Sequence, residues 1–208
     1  MLGKVTICAV AALAMMLGAA QAATIAEGGT GSTGAGGFSI TAASQGGTMA
    51  EDVGHWSYFA GDTDPESGWV WNGPLRGPSG TSLTFEFAFS LDGIDLDSVV
   101  LAGLWGINDI GIAYLNGVEI SSLATVAYEN YRSLTGFEVT NAVLFAQGEN
   151  ILSFEVADVR SGGAFRASVL VTGDDITDQI PPVPLPAGLP LLAAGLGAIG
   201  LLRARRKG

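Results

Sequence analysis

The chain has 208 residues, only 14% of them are charged, and the formal net charge at neutral pH is −11. This length predicts one folded domain accompanied by targeting segments. The middle of the chain holds all twenty acidic residues, between Glu27 and Asp178, but only four arginines. Such an acidic domain repels phosphate backbones, which argues against nucleic acid as a partner.

The N-terminus has the parts of a secretory signal peptide: a positive charge at Lys4, then an apolar run, then small side chains. Ala20 and Ala22 occupy the two positions that a signal peptidase reads. We therefore predict a signal peptide over 1–22, with cleavage between Ala22 and Ala23. An uncleaved membrane anchor is the alternative.

The residues that follow predict a leader and a β-rich domain. The glycine-rich stretch over 23–37 predicts a flexible leader, or a loop at the first strand. The folded domain is predicted over 38–178, where apolar and polar side chains alternate as in β-strands.

Within this domain, Asn116-Gly117 predicts a two-residue hairpin turn. The predicted strands lie at Ser82–Ser90, Ser98–Gly106, twice within Ile110–Ser121, and at Gly136–Phe145, Asn150–Val159 and Ala164–Gly173. This pattern predicts an all-β fold, an antiparallel β-sandwich.

Two short patterns carry a family resemblance. "LNG" at 115–117 in a hairpin, followed by "QGENIL" at 147–152 opening a late strand, resembles the galactose-binding-like jelly rolls. These are ligand-binding β-sandwiches attached to many glycosidases. The resemblance implies a jelly-roll form of the sandwich, and it also implies a structural calcium ion, which such folds often carry.

The sequence offers little for catalysis. The mature chain has one histidine, His55, and no Gly-x-Ser-x-Gly motif, so nothing indicates a hydrolytic triad. Nothing among the acids selects a pair that faces across a cleft, as a glycosidase would need. We interpret the domain as not an enzyme, and a secreted hydrolase is the weakest alternative.

Acidic residues in two segments are candidate calcium ligands. Asp62 and Asp64 occupy alternating positions in a loop, and Asn108 and Asp109 lie at a predicted strand end. Carboxylate and amide oxygens are the ligands that Ca²⁺ prefers. The same residues are also common in turns and on solvated surfaces, which is the alternative interpretation.

The tryptophans are candidates for glycan binding. Trp69 and Trp71 share one face of an extended segment, and Trp56 and Trp105 add two further rings that could stack on sugars. Packing in the core is the alternative for all four.

The C-terminus combines three features in order. Residues 179–187 are a proline-rich linker, in which the prolines force an extended backbone. The segment 188–202 is uncharged and predicts a transmembrane helix. The basic tail 203–208 predicts a stop-transfer signal that remains in the cytoplasm. Its charges are Arg203, Arg205, Arg206 and Lys207.

This tripartite arrangement resembles the C-terminal sorting signals of the PEP-CTERM class. The motif Val183-Pro184-Leu185-Pro186-Ala187 looks like the VPLPA variant of that class, with leucine where the commoner form has glutamate. The resemblance implies processing by an exosortase-type membrane protease, and a link to exported polysaccharide, surface matrix and biofilm. A permanent single-pass anchor is the alternative.

The sequence thus predicts an exported protein that resides transiently in the inner membrane and then reaches the cell surface or the extracellular matrix. The predicted role is structural or adhesive. The alternative is a carbohydrate-binding module for extracellular polysaccharide.

Overall fold

A computed structural model describes residues 22–31, 37–54, 64, 67–73, 79–127, 129–160 and 162–176. Strands dominate this part of the chain, with one short helix and two 3-10 turns. The elements are β1 (Ala23–Gly29), β2 (Phe38–Ala43), β3 (Glu51–Asp52), β4 (Val70–Trp71), β5 (Ser82–Ser90), β6 (Val100–Asn108), β7 (Ile110–Leu115), β8 (Val118–Leu123), α1 (Glu129–Arg132), β9 (Thr135–Val139), β10 (Glu149–Ala157) and β11 (Ala164–Gly173).

The described strands form two antiparallel sheets. The five-stranded sheet has the order β2-β5-β10-β7-β8. The six-stranded sheet has the order β3-β4-β11-β6-β9, and β1 pairs with β11. From β5 onward the chain passes repeatedly from one sheet to the other. The predicted antiparallel β-sandwich is therefore confirmed, and this alternation agrees with the expectation of a jelly roll.

The core follows from period-two alternation in the central strands. In β5, Leu83, Phe85, Phe87 and Phe89 are buried, and the intervening residues are exposed or half-buried. Strand β10 repeats the pattern, so one face of each strand packs inward and the other faces outward.

Phe154 lies at the centre of the core and joins the two sheets. Its ring centroid is 5.1 Å from that of Phe165 and 5.3 Å from that of Trp105, both in the six-stranded sheet. It is 5.9 Å from Phe38 and 6.1 Å from Phe137. Tilted and edge-on aromatic pairs at these separations stabilise a core beyond the area that they bury.

The predicted hairpin turn at Asn116-Gly117 is confirmed. Both residues have positive φ, 51° and 81°. A two-residue turn needs these values so that its backbone twist matches the twist of the two strands that it joins. The Asn116 side chain also donates to Asn150 Oδ1 (2.8 Å) and accepts from the Ile151 N–H (3.0 Å). These bonds fasten the hairpin to the start of β10.

Two sequence predictions differ from the structure. Ala23–Gly29, assigned to a flexible leader, is strand β1 and pairs with β11 over its whole length. The strand predicted over Gly136–Phe145 ends at Val139. Asn141 then caps a 3-10 turn, because its side chain accepts from the Val143 N–H (3.3 Å).

The predicted membrane segment lies outside the described residues, as do the linker 179–187 and the basic tail. In the part that the structure describes, no helix has the length and apolar character needed to cross a membrane.

We expect Phe154→Ala to lower the free energy of unfolding by about 3–5 kcal/mol, because the substitution leaves a cavity between the sheets. Urea unfolding at equilibrium measures this loss. Val143→Ala is the control: Val143 is 82% exposed, so its truncation should change stability by less than about 0.5 kcal/mol. A small loss for the Phe154 variant would contradict the central position of this ring.

Candidate functional site

The described tryptophans lie in packed positions. Trp105 is 0% exposed and its Nε1 donates to Ser121 Oγ across the sandwich (3.0 Å). Trp69 and Trp71 are 7% and 3% exposed. Trp71 covers Gly163 so closely that a Cβ there would lie 2.1 Å from its ring. A ring that stacks on a sugar must present a face to solvent, so the predicted glycan platform of these three residues is wrong. Trp56 lies outside the described residues.

Asp64 belongs to a buried network around an arginine. Arg166 donates through Nε to Ser67 Oγ (2.9 Å) and through Nη2 to the carbonyl oxygen of Asp64. The Ser67 hydroxyl in turn donates to the Asp64 carboxylate. Both charged side chains are buried. This network holds Asp64 and Ser67 against the six-stranded sheet and supplies Asp64 with protein partners.

Asn108 and Asp109 lie where β6 ends, as predicted, and the structure adds Asp158 to this end of the sandwich. Asn108 donates to the Gly162 carbonyl (2.7 Å), and Asp109 Oδ2 accepts from the Val159 N–H (3.0 Å). Asp158 is buried and accepts from the Arg160 N–H (3.0 Å).

The described residues contain no group of three or more His, Cys, Asp or Glu side chains placed to hold a metal ion. Of the four predicted calcium ligands, Asp62 lies outside the described part of the chain. The other three have the protein partners given above.

Burial raises the pKa of Asp158, and the nearby Asp109 charge raises it further. Backbone N–H groups of Arg160, Gly162 and Gly163 act in the opposite direction, because they stabilise the carboxylate. Titration of Asp158 therefore makes this end of the sandwich sensitive to pH.

The outer face of the five-stranded sheet presents a different set of side chains. Strand register places Ser39, Glu86, Ser153, Tyr114 and Glu119 in one row across all five strands. All five side chains are exposed or half-buried. Neighbours in such a row have Cβ atoms about 4.5–5.5 Å apart. One aromatic ring is thus surrounded by hydroxyl and carboxylate groups; we call this outer face the Tyr114 face.

An open trough of about 540 Å³ lies beside this row on the same face. The trough is deepest where the small side chains of Ala42, Ser82 and Ala157 project only a short distance from the sheet. Ile110 and Ile112 line one side. Small side chains beside larger apolar ones thus form a shallow depression across the strands, next to Tyr114.

The Tyr114 face is acidic. Partial burial raises the pKa of the Tyr114 phenol above its ordinary value, and the neighbouring charges of Glu155 and Glu119 raise it further. The phenol is therefore neutral and can donate a hydrogen bond at neutral pH. The five strands of this sheet contain no lysine or arginine.

Sequence reasoning missed Tyr114. The alternation of "IGIAYL" does place Tyr114 on one face with Ile110 and Ile112. The sequence alone does not show that β7 pairs between β8 and β10, and this pairing brings Glu119 and Ser153 to the two sides of Tyr114.

The predicted sorting residues at both ends of the chain, Ala20 and residues 183–187 and 203–207, lie outside the described part. Ala22 is described and exposed.

Comparison with known proteins finds distant likeness only. No protein-family model matches the chain, and no curated protein matches it. Among solved structures, a family 35 carbohydrate-binding module from an environmental isolate is 17% identical, with a TM-score of 0.34, over 66% of this chain and 93% of that one. The GH31 alpha-xylosidase of Xanthomonas citri is 9% identical, with a TM-score of 0.32, over 72% of this chain and 17% of the xylosidase. At these scores neither likeness establishes a shared function.

We expect the Asp158 carboxyl to titrate above the ordinary aspartate value of 3.8. The folded state then holds this proton to higher pH than the unfolded state, so the contribution of Asp158 to stability is greatest below 3.8 and falls as the pH rises through the folded pKa. Carbon-13 NMR of the carboxyl measures the pKa, and urea unfolding across this pH range measures the stability.

Two variants test the raised pKa of Asp158 and its effect on stability. Asp109→Asn should lower the pKa of Asp158, because it removes a neighbouring negative charge. Asp158→Asn should remove the fall in stability that this group produces. A carboxyl that titrates at or below 3.8 would overturn the assignment.

Proposed function

We propose that this domain binds polysaccharide across the Tyr114 face. The observation that carries the proposal is the row of Ser39, Glu86, Ser153, Tyr114 and Glu119 on an exposed sheet. A sugar ring has apolar C–H faces and a rim of hydroxyl groups. It is matched by an aromatic ring with hydrogen-bonding groups at its sides.

The shape of the face suits the interior of a long chain. Strands lie about 4.8 Å apart, so a row across five strands spans about 19 Å. The trough beside this row is open and has no deep end that would select a chain terminus. Affinity is therefore proposed to rise with the length of the oligosaccharide until the face is filled.

The proposed role is binding without catalysis. Glu86 and Glu119 lie in the same row but on strands separated by two others, and both belong to one open surface. A glycosidase needs its two carboxyl groups on opposite sides of the scissile bond, which a single sheet face does not provide.

We further propose that the protein is exported and acts at the cell surface or in the matrix, after processing of its C-terminal sorting signal by an exosortase-type protease. Strand β1 begins at Ala23, directly after the predicted cleavage position. Cleavage there would leave the whole strand in the mature domain. Binding to polysaccharide would then itself provide the adhesive role in the matrix.

We expect Tyr114→Ala to weaken binding of soluble oligosaccharides by about tenfold, since it removes the aromatic face. Isothermal titration with hexamers of glucose, N-acetylglucosamine and galactose provides the test. Tyr114→Phe should retain most of the affinity, because it keeps the ring and loses only the phenol hydroxyl. Thermal melting of each variant controls for folding.

The matched control on a surface away from this face is Val143→Ala, which should bind as the unaltered protein does. If no hexamer binds in a saturable manner, or if Tyr114→Ala binds as tightly as the unaltered protein, the Tyr114 face is not a glycan site.

The sorting proposal predicts the mass of the protein recovered outside the cells. We expect an N-terminus at Ala23 and a C-terminus within 183–187, so that the basic tail is absent. Intact-mass spectrometry reads both ends at once. A protein found only with membranes and retaining Arg203 to Gly208 would indicate a simple anchor instead.

A further inference from the structure

The charge on the Tyr114 face restricts which polysaccharide it can hold. Glu86 and Glu119 lie in the Tyr114 row, and Glu155 lies in the adjacent row beside Thr84 and Ile112. Glu86 and Glu155 face outward because exposure alternates along β5 and β10. Glu119 faces outward because it lies opposite Tyr114, whose strand alternates in the same way. A fourth acid, Glu149, points outward from the same sheet at the far end of β10.

No cation on these strands balances the carboxylates. The described arginines Arg132, Arg160 and Arg166 belong to α1, to the segment after β10 and to the six-stranded sheet. A polysaccharide with uronate, sulfate or phosphate groups would therefore be repelled at close range.

We infer that the Tyr114 face selects a polysaccharide that bears free amino groups, as partly deacetylated amino sugars do. This inference rests on the proposed glycan-binding function and adds the class of ligand. Tyr114 and the trough contact the apolar faces of the sugar rings, and the three glutamates attract ammonium groups along the chain. Charge complementarity separates this class from neutral and anionic glycans of equal length.

The test compares three hexamers of similar size by isothermal titration: N-acetylglucosamine, which is neutral; glucosamine, which is cationic in a mildly acidic buffer; and galacturonate, which is anionic. At low salt, the glucosamine hexamer should bind about tenfold more tightly than the acetylated hexamer, as expected for a few surface charge pairs. The difference should shrink at high salt, because mobile ions screen exposed charges. The galacturonate hexamer should not bind.

Variants locate the source of this preference. Glu86→Gln, Glu119→Gln and Glu155→Gln combined should remove the preference for amino groups and keep the binding of the acetylated hexamer. Glu119→Gln alone is a milder variant, on an edge strand, and should reduce the preference in part. Glu138→Gln is the matched control, because Glu138 is exposed on β9 of the other sheet.

The outcomes distinguish the two proposals. If the acetylated hexamer binds through Tyr114 and the glucosamine hexamer binds no more tightly, the amino-group inference is wrong and the glycan-binding function stands. If Tyr114→Ala leaves binding of both hexamers unchanged, the proposed function itself fails. If Glu138→Gln weakens glucosamine binding as much as the triple variant, the attraction comes from the overall negative charge of the protein and the inference is overturned.

Discussion

The contact between Phe154 and the facing sheet is the constraint on which the rest of the structure depends. A sandwich has only one interior, and here aromatic rings from both sheets fill it around a single central side chain. Because β10 carries Phe154 in the middle of its sheet, β5 and β7 must pair with it in the register that turns their own apolar residues inward. The core therefore determines which side chains reach the opposite, exposed face.

This coupling explains how the proposed binding face can be built on a sheet without a deep pocket. Strands have two faces, and the residues between core positions are free of packing demands. In β5 and β10 most of these intervening positions hold hydroxyl and carboxylate groups, and the others hold Ala88, Ile151 and Ala157. In β7 they hold two isoleucines and Tyr114. The scaffold beneath is rigid because its other face is fully packed, which keeps the outer groups at fixed spacings.

The strands and the hairpin could be predicted from sequence because their signals are local. Alternation over Ser82–Ser90 marks a strand with the same bounds as β5, and Asn116-Gly117 supplies the positive φ values that its turn needs. Strand β1 could not be predicted in this way, since its small and glycine residues have little β-propensity and its stability comes from pairing with β11.

The candidate site could not be predicted because its signals are non-local. The tryptophans were candidates for stacking on sugars because of their residue type, yet large aromatic side chains are equally suited to a core. The burial of the described tryptophans shows that they pack in the core. Asp64 resembled a metal ligand in the sequence, but folding brings Arg166 beside it from β11, where Arg166 bonds both Asp64 and the neighbouring Ser67. Tyr114 becomes a candidate site residue only because of the side chains that lie beside it on the neighbouring strands.

One irregularity in the sheet completes the Tyr114 face. Between Ala113 and Tyr114 the pairing of β7 with β8 shifts by one residue, so that Ser121 lies opposite Ala113 and Glu119 opposite Tyr114. In an unbroken ladder Ile120 would be the partner of Tyr114 and would face solvent. The bulge instead allows Ile120 to pack against the core and moves Glu119 to the side of the aromatic ring. A single inserted residue thus removes an apolar side chain from the exposed face and supplies a carboxylate in its place, as the proposed recognition of a polar polymer needs.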